Sequence, residues 1–317
     1  MNDTLSELKN EFVYYKRKNG CKYKTAKYHL DKYVEFSAHY APEEWIPSRD
    51  TVNAFLRKHS HTPGNLYNIA ATMREFSRYL IGTGYDGAYI LPQRKVSLPV
   101  PAPPHLFTKD EIDCFFQSCD RIPYDHHVPH RHIVLPAMYR LFYCCGLRCK
   151  EARTLKRANV CLQGSHIDVI QSKGPKSRRI FLSQELSDYL KDYDLRMDLL
   201  LQDRTWFFPS RTDRPYSEGA FTDNFRKIWK DAFPDKKALG IKVRAYDFRH
   251  HFAYANMNRW LKEGKDINVM LPYLMRYMGH QEIENTLYYF HLVPDIYDAI
   301  IEKSSVFESL LPEVNGK

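Results

Sequence analysis

Four short stretches in the latter part of the chain carry side chains suited to holding an anion and moving protons. The first is Cys145-Gly146-Leu147-Arg148-Cys149-Lys150-Glu151-Ala152. An apolar run from Ile133 to Cys145 stops at a glycine, the usual signal for a helix C-terminus. Arg148 then stands at the start of the next helix, where backbone amides also favour anions. Glu151, three residues on, shares its face and can orient the arginine. The second stretch is the turn Lys173-Gly174-Pro175-Lys176, whose Lys173 can reach into a groove or toward a leaving group. The third, Arg244 to Ala253, contains Tyr246, Arg249, His250 and His251. The fourth, Leu274 to His291, joins a helix through Met278-Gly279-His280 to a short segment with Thr286, Tyr288 and Tyr289.

The elements that must position these groups follow from periodicity. Residues 1 to about 90 read as helices: Leu5, Leu8, Phe12 and Tyr15 recur at helical spacing, as do Tyr28, Tyr33 and Phe36, and later Ile69, Met73, Phe76 and Leu80. A proline-rich stretch, Leu98-Pro99-Val100-Pro101-Ala102-Pro103-Pro104, reads as a semi-rigid linker. Thr108 followed by Glu111 is a capping-box pattern that opens a new helix. Beyond it, His166–Ile170 and Arg179–Leu182 alternate as strands joined by the Lys173–Lys176 turn. Further helices are expected over 184–201, 217–232, 247–263, 267–277, 283–290 and 295–310. The expected fold is mainly α: an N-terminal helical domain (1–92), a linker (93–106), an α-rich domain with a small antiparallel β-sheet (107–294), and a C-terminal helix or tail (295–317).

Bulk properties narrow the function. At 317 residues the length favours two domains, and 44% hydrophobic residues suffice for real cores. A formal net charge of +9 favours a polyanionic partner, nucleic acid or an anionic membrane surface. No apolar run approaches the roughly 20 residues of a membrane span. Met1-Asn2-Asp3-Thr4 is too polar for a signal peptide, and seven cysteines without a CxxC pair read as reduced thiols. Both point to a cytoplasmic protein. Cys144 and Cys145 read as small core residues. A basic run, Lys16, Arg17, Lys18, Lys22, Lys24 and Lys27, interleaves with Tyr14, Tyr15, Tyr23 and Tyr28 and suits a DNA-backbone contact. An ordinary solvated helix face is the alternative. Asp125-His126-His127-Val128-Pro129-His130-Arg131-His132 lacks a partner ligand pair elsewhere and reads as a polar loop, with no metal.

In this order, the stretches resemble the tyrosine recombinase (phage integrase) family. The GLR-x-x-E box appears as Gly146-Leu147-Arg148-Cys149-Lys150-Glu151, and the HxLRH box as Tyr246-Asp247-Phe248-Arg249-His250. The LGH box appears as Met278-Gly279-His280, with Thr286-Leu287-Tyr288-Tyr289 supplying T-x-x-Y nine residues past the histidine. The match covers about residues 105–300, and the helical domain before it looks like the family's core-binding domain. One departure stands out: Tyr246 replaces the usual histidine or lysine and brings no positive charge near neutral pH.

The resemblance implies a site-specific recombinase, serving a mobile element's integration or excision, that cuts and rejoins double-stranded DNA through a 3′-phosphotyrosyl link. Tyr289 would be the nucleophile, with Tyr288 beside it turned elsewhere, since adjacent helical residues point about 100° apart. Arg148 and Arg249 would clamp the non-bridging oxygens with planar, always-charged donors. His280 would hydrogen-bond an oxygen or help move a proton, and Lys173 would protonate the leaving 5′-oxygen. Glu151 and His250 would support the site, with His251 and His291 as neighbours. Such electrostatics need no cofactor or metal, and the covalent link makes ATP unnecessary. The resemblance further implies self-association to a dimer or tetramer on DNA through the C-terminal segment, with accessory DNA-bending or directionality proteins as possible partners. The alternatives are a type IB topoisomerase-like enzyme and a DNA-binding protein of the same fold that has lost activity.

Overall fold

The computed structural model describes residues 4–93, 96, 102–170, 177–235, 243–280, 282, 284–287 and 289. The chain divides into two compact units, residues 1–102 and 103–317.

Among the described residues the first unit contains four α-helices: α1 (Leu5–Lys18), α2 (Lys24–Tyr40), α3 (Arg49–Lys58) and α4 (Pro63–Gly82). Thr4 and Glu7 cap α1 reciprocally, Ser48 caps α3, and Pro63 opens α4 where a missing N–H costs nothing. Leu8, Phe12, Leu30, Tyr33, Val52, Phe55, Ile69, Met73, Phe76 and Leu80 form the core. Two periodic residues depart from expectation. Tyr15 and Tyr28 are exposed. Each is a large ring with a polar tip at the edge of its apolar stripe, and Tyr15 packs its face on Tyr79 while staying wet.

The second unit opens at Thr108, whose capping box with Glu111 starts α5 (Lys109–Asp120). It continues with α6 (Arg131–Cys144), α7 (Cys149–Arg153), β1 (Val160–Cys161), β2 (His166–Val169), β3 (Arg178–Phe181), α8 (Gln184–Leu200), α9 (Glu218–Ala232), α10 (Asp247–Lys262), α11 (Ile267–Met278) and α12 (Glu284–Leu287). The strands form one antiparallel sheet in the order β1-β2-β3, with Ile167 opposite Ile180 and both buried. Strand β1 has only two residues, too few for a periodicity signal, and Ile170 and Leu182 fall just outside β2 and β3.

Two cores divide this unit. The larger gathers Phe115, Tyr139, Phe142, Phe221, Phe225 and Phe248 from α5, α6, α9 and α10 with Phe207 and Phe208 from the segment between α8 and α9 and the sheet residues Ile167 and Ile180. The smaller joins α10 and α11 through Ala253, Met257, Trp260, Leu271, Leu274 and Met278, and it also contains Tyr289. Of the cysteine pair, Cys145 is buried but Cys144 is exposed, because the two point to different sides where α6 ends. Arg157 and the buried Arg204 share Asp194 and Asp198, tying α8 to the chain around it.

Candidate active site

Two glycine turns bring backbone carbonyls to the arginines. Gly146 ends α6 with φ +54° and Gly279 ends α11 with φ +66°, the left-handed region glycine enters at least cost. The Gly146 carbonyl accepts from Arg249 Nη1 at 2.6 Å, and the Gly279 carbonyl accepts from Arg148 Nη2 at 2.6 Å. A Cβ on Gly279 would lie 2.9 Å from Arg178 Nη1 and 3.4 Å from Arg148 Nη1. Glycine is therefore needed there both for backbone conformation and for space.

Arg148 caps the N-terminus of α7 and is held there by Glu151. The carboxylate accepts from the Arg148 backbone N–H and from its Nη1, both at 2.9 Å. The Glu151 side chain is only 1% exposed, so it needs compensating charge. Part of that charge comes from Arg178 on β3, which sequence reasoning did not select. Its Nη1 and Nη2 donate to Glu151 at 3.0 and 2.7 Å, and its Nε donates to the Tyr277 carbonyl at 2.6 Å.

Arg249, on the first turn of α10, is 0% exposed. Its Nη2 donates to the Met278 carbonyl at 2.7 Å and to His280 Nε2 at 3.0 Å. Its Nε has no hydrogen-bond partner among the described residues. Burial pulls its pKa below the ordinary arginine value. Guanidinium nonetheless stays charged in proteins. His280 Nδ1 lies 2.8 Å from Thr286 Oγ1. Burial, reinforced by Arg249, Arg148 and Arg178, pushes the His280 imidazole down to about 3, so the ring is neutral at physiological pH.

Tyr289 lies with its ring centroid 6.1 Å from His280 and nearly parallel to it, and 5.6 Å from His250. It is 2% exposed. Burial also pushes His250 down to about 4. Tyr246 precedes α10, is 39% exposed, and turns its ring edge-on to His250 at 4.9 Å. His251 faces away and accepts the Phe107 N–H at 3.2 Å, anchoring the segment before α5.

Arg148, Glu151, Arg249, His250, His280 and Tyr289 are thus gathered in one place, with Tyr246 at its exposed margin. Lys173, Tyr288, His291 and residues 295–317 lie outside the described residues. Residues 125–130 form turns before α6, where Asp125 accepts the His127 N–H, while Arg131 and His132, read as part of that loop, open the helix itself. Among the described residues no group of three or more His, Cys, Asp and Glu side chains is assembled to hold a metal ion.

In the first unit the six basic residues do not form one uniform surface. Lys16 pairs with Glu75 at 3.2 Å, and Lys27 pairs with Asp31 at 2.5 Å. Arg17, Lys18, Lys22 and Lys24 are exposed. One tertiary partner, Glu75, and one partner on the same helix, Asp31, thus engage two of the six.

The phage integrase family matches residues 106–295, more than half of the chain. The chain belongs to the phage integrase family. It is a tyrosine site-specific recombinase, an enzyme of DNA strand breakage and rejoining. Among its relatives, the putative integrase/recombinase y4rE of Sinorhizobium fredii is 27% identical over 81% of each chain. The tyrosine recombinase XerA of Pyrococcus furiosus is 24% identical over 96% of each. The fold is shared with the XerH site-specific recombinase bound to palindromic difH substrate (TM-score 0.65, 16% identity, 96% of this chain and 85% of that one). It is also shared with the Tn1549 transposon integrase in complex with transposon right end DNA (TM-score 0.64, 14% identity, 95% and 99%). Among the described residues no helix is long and apolar enough to cross a membrane.

Proposed function

We propose that this recombinase cleaves duplex DNA by attack of Tyr289 Oη on the scissile phosphorus, in the integration and excision of a mobile element. The new Tyr289–phosphorus bond replaces the bond to the 5′-oxygen, leaving a 3′-phosphotyrosyl link. The tyrosine proton passes toward His280, whose Nε2 lone pair receives it once Arg249 turns from that nitrogen to the phosphate oxygens. Lys173 donates a proton to the departing 5′-oxygen. Rejoining runs the same steps in reverse with a 5′-hydroxyl from another strand, so the phosphodiester energy is conserved and no ATP is consumed.

Arg148 and Arg249 bind the non-bridging oxygens, where negative charge grows toward the transition state. Glu151 and the Gly279 carbonyl hold Arg148, and the Gly146 and Met278 carbonyls hold Arg249. Donors fixed in advance by such partners need little reorganisation as the charge develops. Tyr246 offers a hydroxyl where a cation is usual and contributes a hydrogen bond alone. The observation that carries this reading is the convergence of Arg148, Arg249 and His280 with the Tyr289 ring stacked beside the histidine.

The helical first unit grips the DNA backbone with Arg17, Lys18, Lys22 and Lys24, and copies of the chain assemble as dimers and tetramers on DNA. The segment 295–317 links the copies, and its docking frees Tyr289 from its buried position. An enzyme acting on DNA shares its compartment, which we take to be the cytoplasm. The test is covalent trapping on a nicked suicide duplex built from the ends of the element. An adduct on a denaturing gel that is lost in Tyr289→Phe supports the reading. An adduct persisting in that variant reassigns the nucleophile, and tight binding without any adduct overturns it.

A further inference from the structure

Glu151 is shared by two guanidiniums. Arg148 gives it a backbone N–H and Nη1, and Arg178 gives it Nη1 and Nη2. A carboxylate has about four lone-pair sites, and these four donors are enough to fill them. Arg178 reaches Glu151 from β3, with 11% of its side chain exposed, and its Nε is fixed on the Tyr277 carbonyl two residues before Gly279. One planar side chain therefore joins the sheet, the α7 carboxylate and the end of α11.

A buried carboxylate facing a single arginine would neutralise it and compete with the phosphate for its donors. With two arginines the cluster keeps a surplus of positive charge. Counting Glu151 as −1 and Arg148, Arg178 and Arg249 as +1 each gives +2 with His280 neutral. A phosphodiester is −1, and its substitution transition state carries more negative charge on the oxygens.

We propose that Arg178 is a positioning residue for DNA cleavage: it shares the Glu151 carboxylate so that Arg148 is held in place without being neutralised. This rests on the reading of Arg148 as a phosphate clamp. Lysine cannot replace it fully, because a point charge cannot make the paired donation to Glu151 while also reaching the Tyr277 carbonyl.

The test is single-turnover cleavage of the suicide duplex, read beside DNA affinity and thermal midpoint. Arg178→Lys is expected to cleave about tenfold more slowly, and Arg178→Ala about 10- to 100-fold, with DNA affinity within about threefold of the parent; the scale is set below that of losing a direct transition-state donor. Adding Glu151→Gln to Arg178→Ala is expected to recover part of the rate, since Arg148 then faces no unshared carboxylate. A structural role alone would not give that recovery. The inference is overturned if Arg178→Lys cleaves at the parent rate, or if the doubly substituted protein is no faster than Arg178→Ala. Should Arg178→Ala fail to fold, the Lys variant alone decides. Absence of any adduct with the parent protein would instead sink the phosphate-clamp reading.

Discussion

Arg249 donates through Nη2 to His280 Nε2 at 3.0 Å, so the histidine presents a lone pair, not a proton, to the arginine. Its other nitrogen, Nδ1, then carries the hydrogen and donates it to Thr286 Oγ1 at 2.8 Å. Arg249 can only donate and so selects this tautomer, while the buried Thr286 hydroxyl, able to donate or accept, fixes the orientation of the ring. Thr286→Val is expected to lower the single-turnover cleavage rate about tenfold, at the lower end of what losing such an orienting partner costs. Thr286→Ser should stay close to the parent rate. Equal rates for valine and serine variants would dismiss the orienting role of Thr286.

Both His250 and His280 are held below their ordinary values by burial, at about 4 and about 3. In the unfolded chain each would titrate near 6.5. Between those values the unfolded state binds more protons than the folded one, so stability rises with pH through that window. The contribution is complete above about pH 6.5 and is lost as the pH falls toward about 4. The expected result is a thermal midpoint that drops between pH 6.5 and 4.5, with a shallower drop in His280→Gln. An identical pH slope in that variant would count against the assignment.

Gly146→Ala meets two obstacles. The backbone stands at φ +54°, and the new Cβ would lie 2.4 Å from Phe252 Cδ1. The conformational term costs about 1–2 kcal/mol and the overpacking about 1–3 kcal/mol. We expect a loss of about 2–5 kcal/mol in denaturant unfolding, the sum of the two terms, with cleavage impaired because the displaced carbonyl holds Arg249. Gly219→Ala in α9, where a Cβ meets nothing within 4 Å, is the control, and its stability should not fall.

Tyr246 can be tested in both directions. Tyr246→Phe removes one hydrogen bond, worth about 1 kcal/mol, and should slow cleavage about fivefold. Tyr246→Lys restores the charge of the family pattern and should raise the rate above that of the Phe variant. If Phe cleaves as fast as the parent, Tyr246 makes no contact with the phosphate.

The basic residues of the first unit predict a salt dependence. Replacing Lys18, Lys22 and Lys24 together with alanine should reduce the slope of log affinity against log salt by about 2–3, near 0.9 per phosphate contact. Lys16→Ala and Lys27→Ala should each change it by less, since Glu75 and Asp31 already engage those ammoniums. Equal slopes for the triple variant and the parent would place the DNA elsewhere.

The sequence by itself determined the helical character, the sheet strands and the motif residues. These depend on local order: Gly146 before Arg148, Glu151 one helical turn on, Gly279 before His280, and Thr286 three residues before Tyr289. Capping boxes at Thr4 and Thr108 are equally local, and the helices begin there. Tertiary structure alone decided what depends on distant partners. Arg178 was invisible as a site residue because Glu151 lies 27 residues away and Tyr277 lies 99. Tyr15 and Tyr28 fit the helical period yet stay exposed, since periodicity gives a face but not the width of what covers it. Lys16 is drawn into an ion pair with Glu75, 59 residues away, that a basic run cannot reveal, whereas the Lys27–Asp31 pair has the local i,i+4 spacing. The burial of Tyr289 against His280 and His250 likewise follows from packing α10 and α11 around it. Spacing along a chain sets which groups can share a turn of helix, while the charge and solvent each group meets are set by segments far from it in sequence.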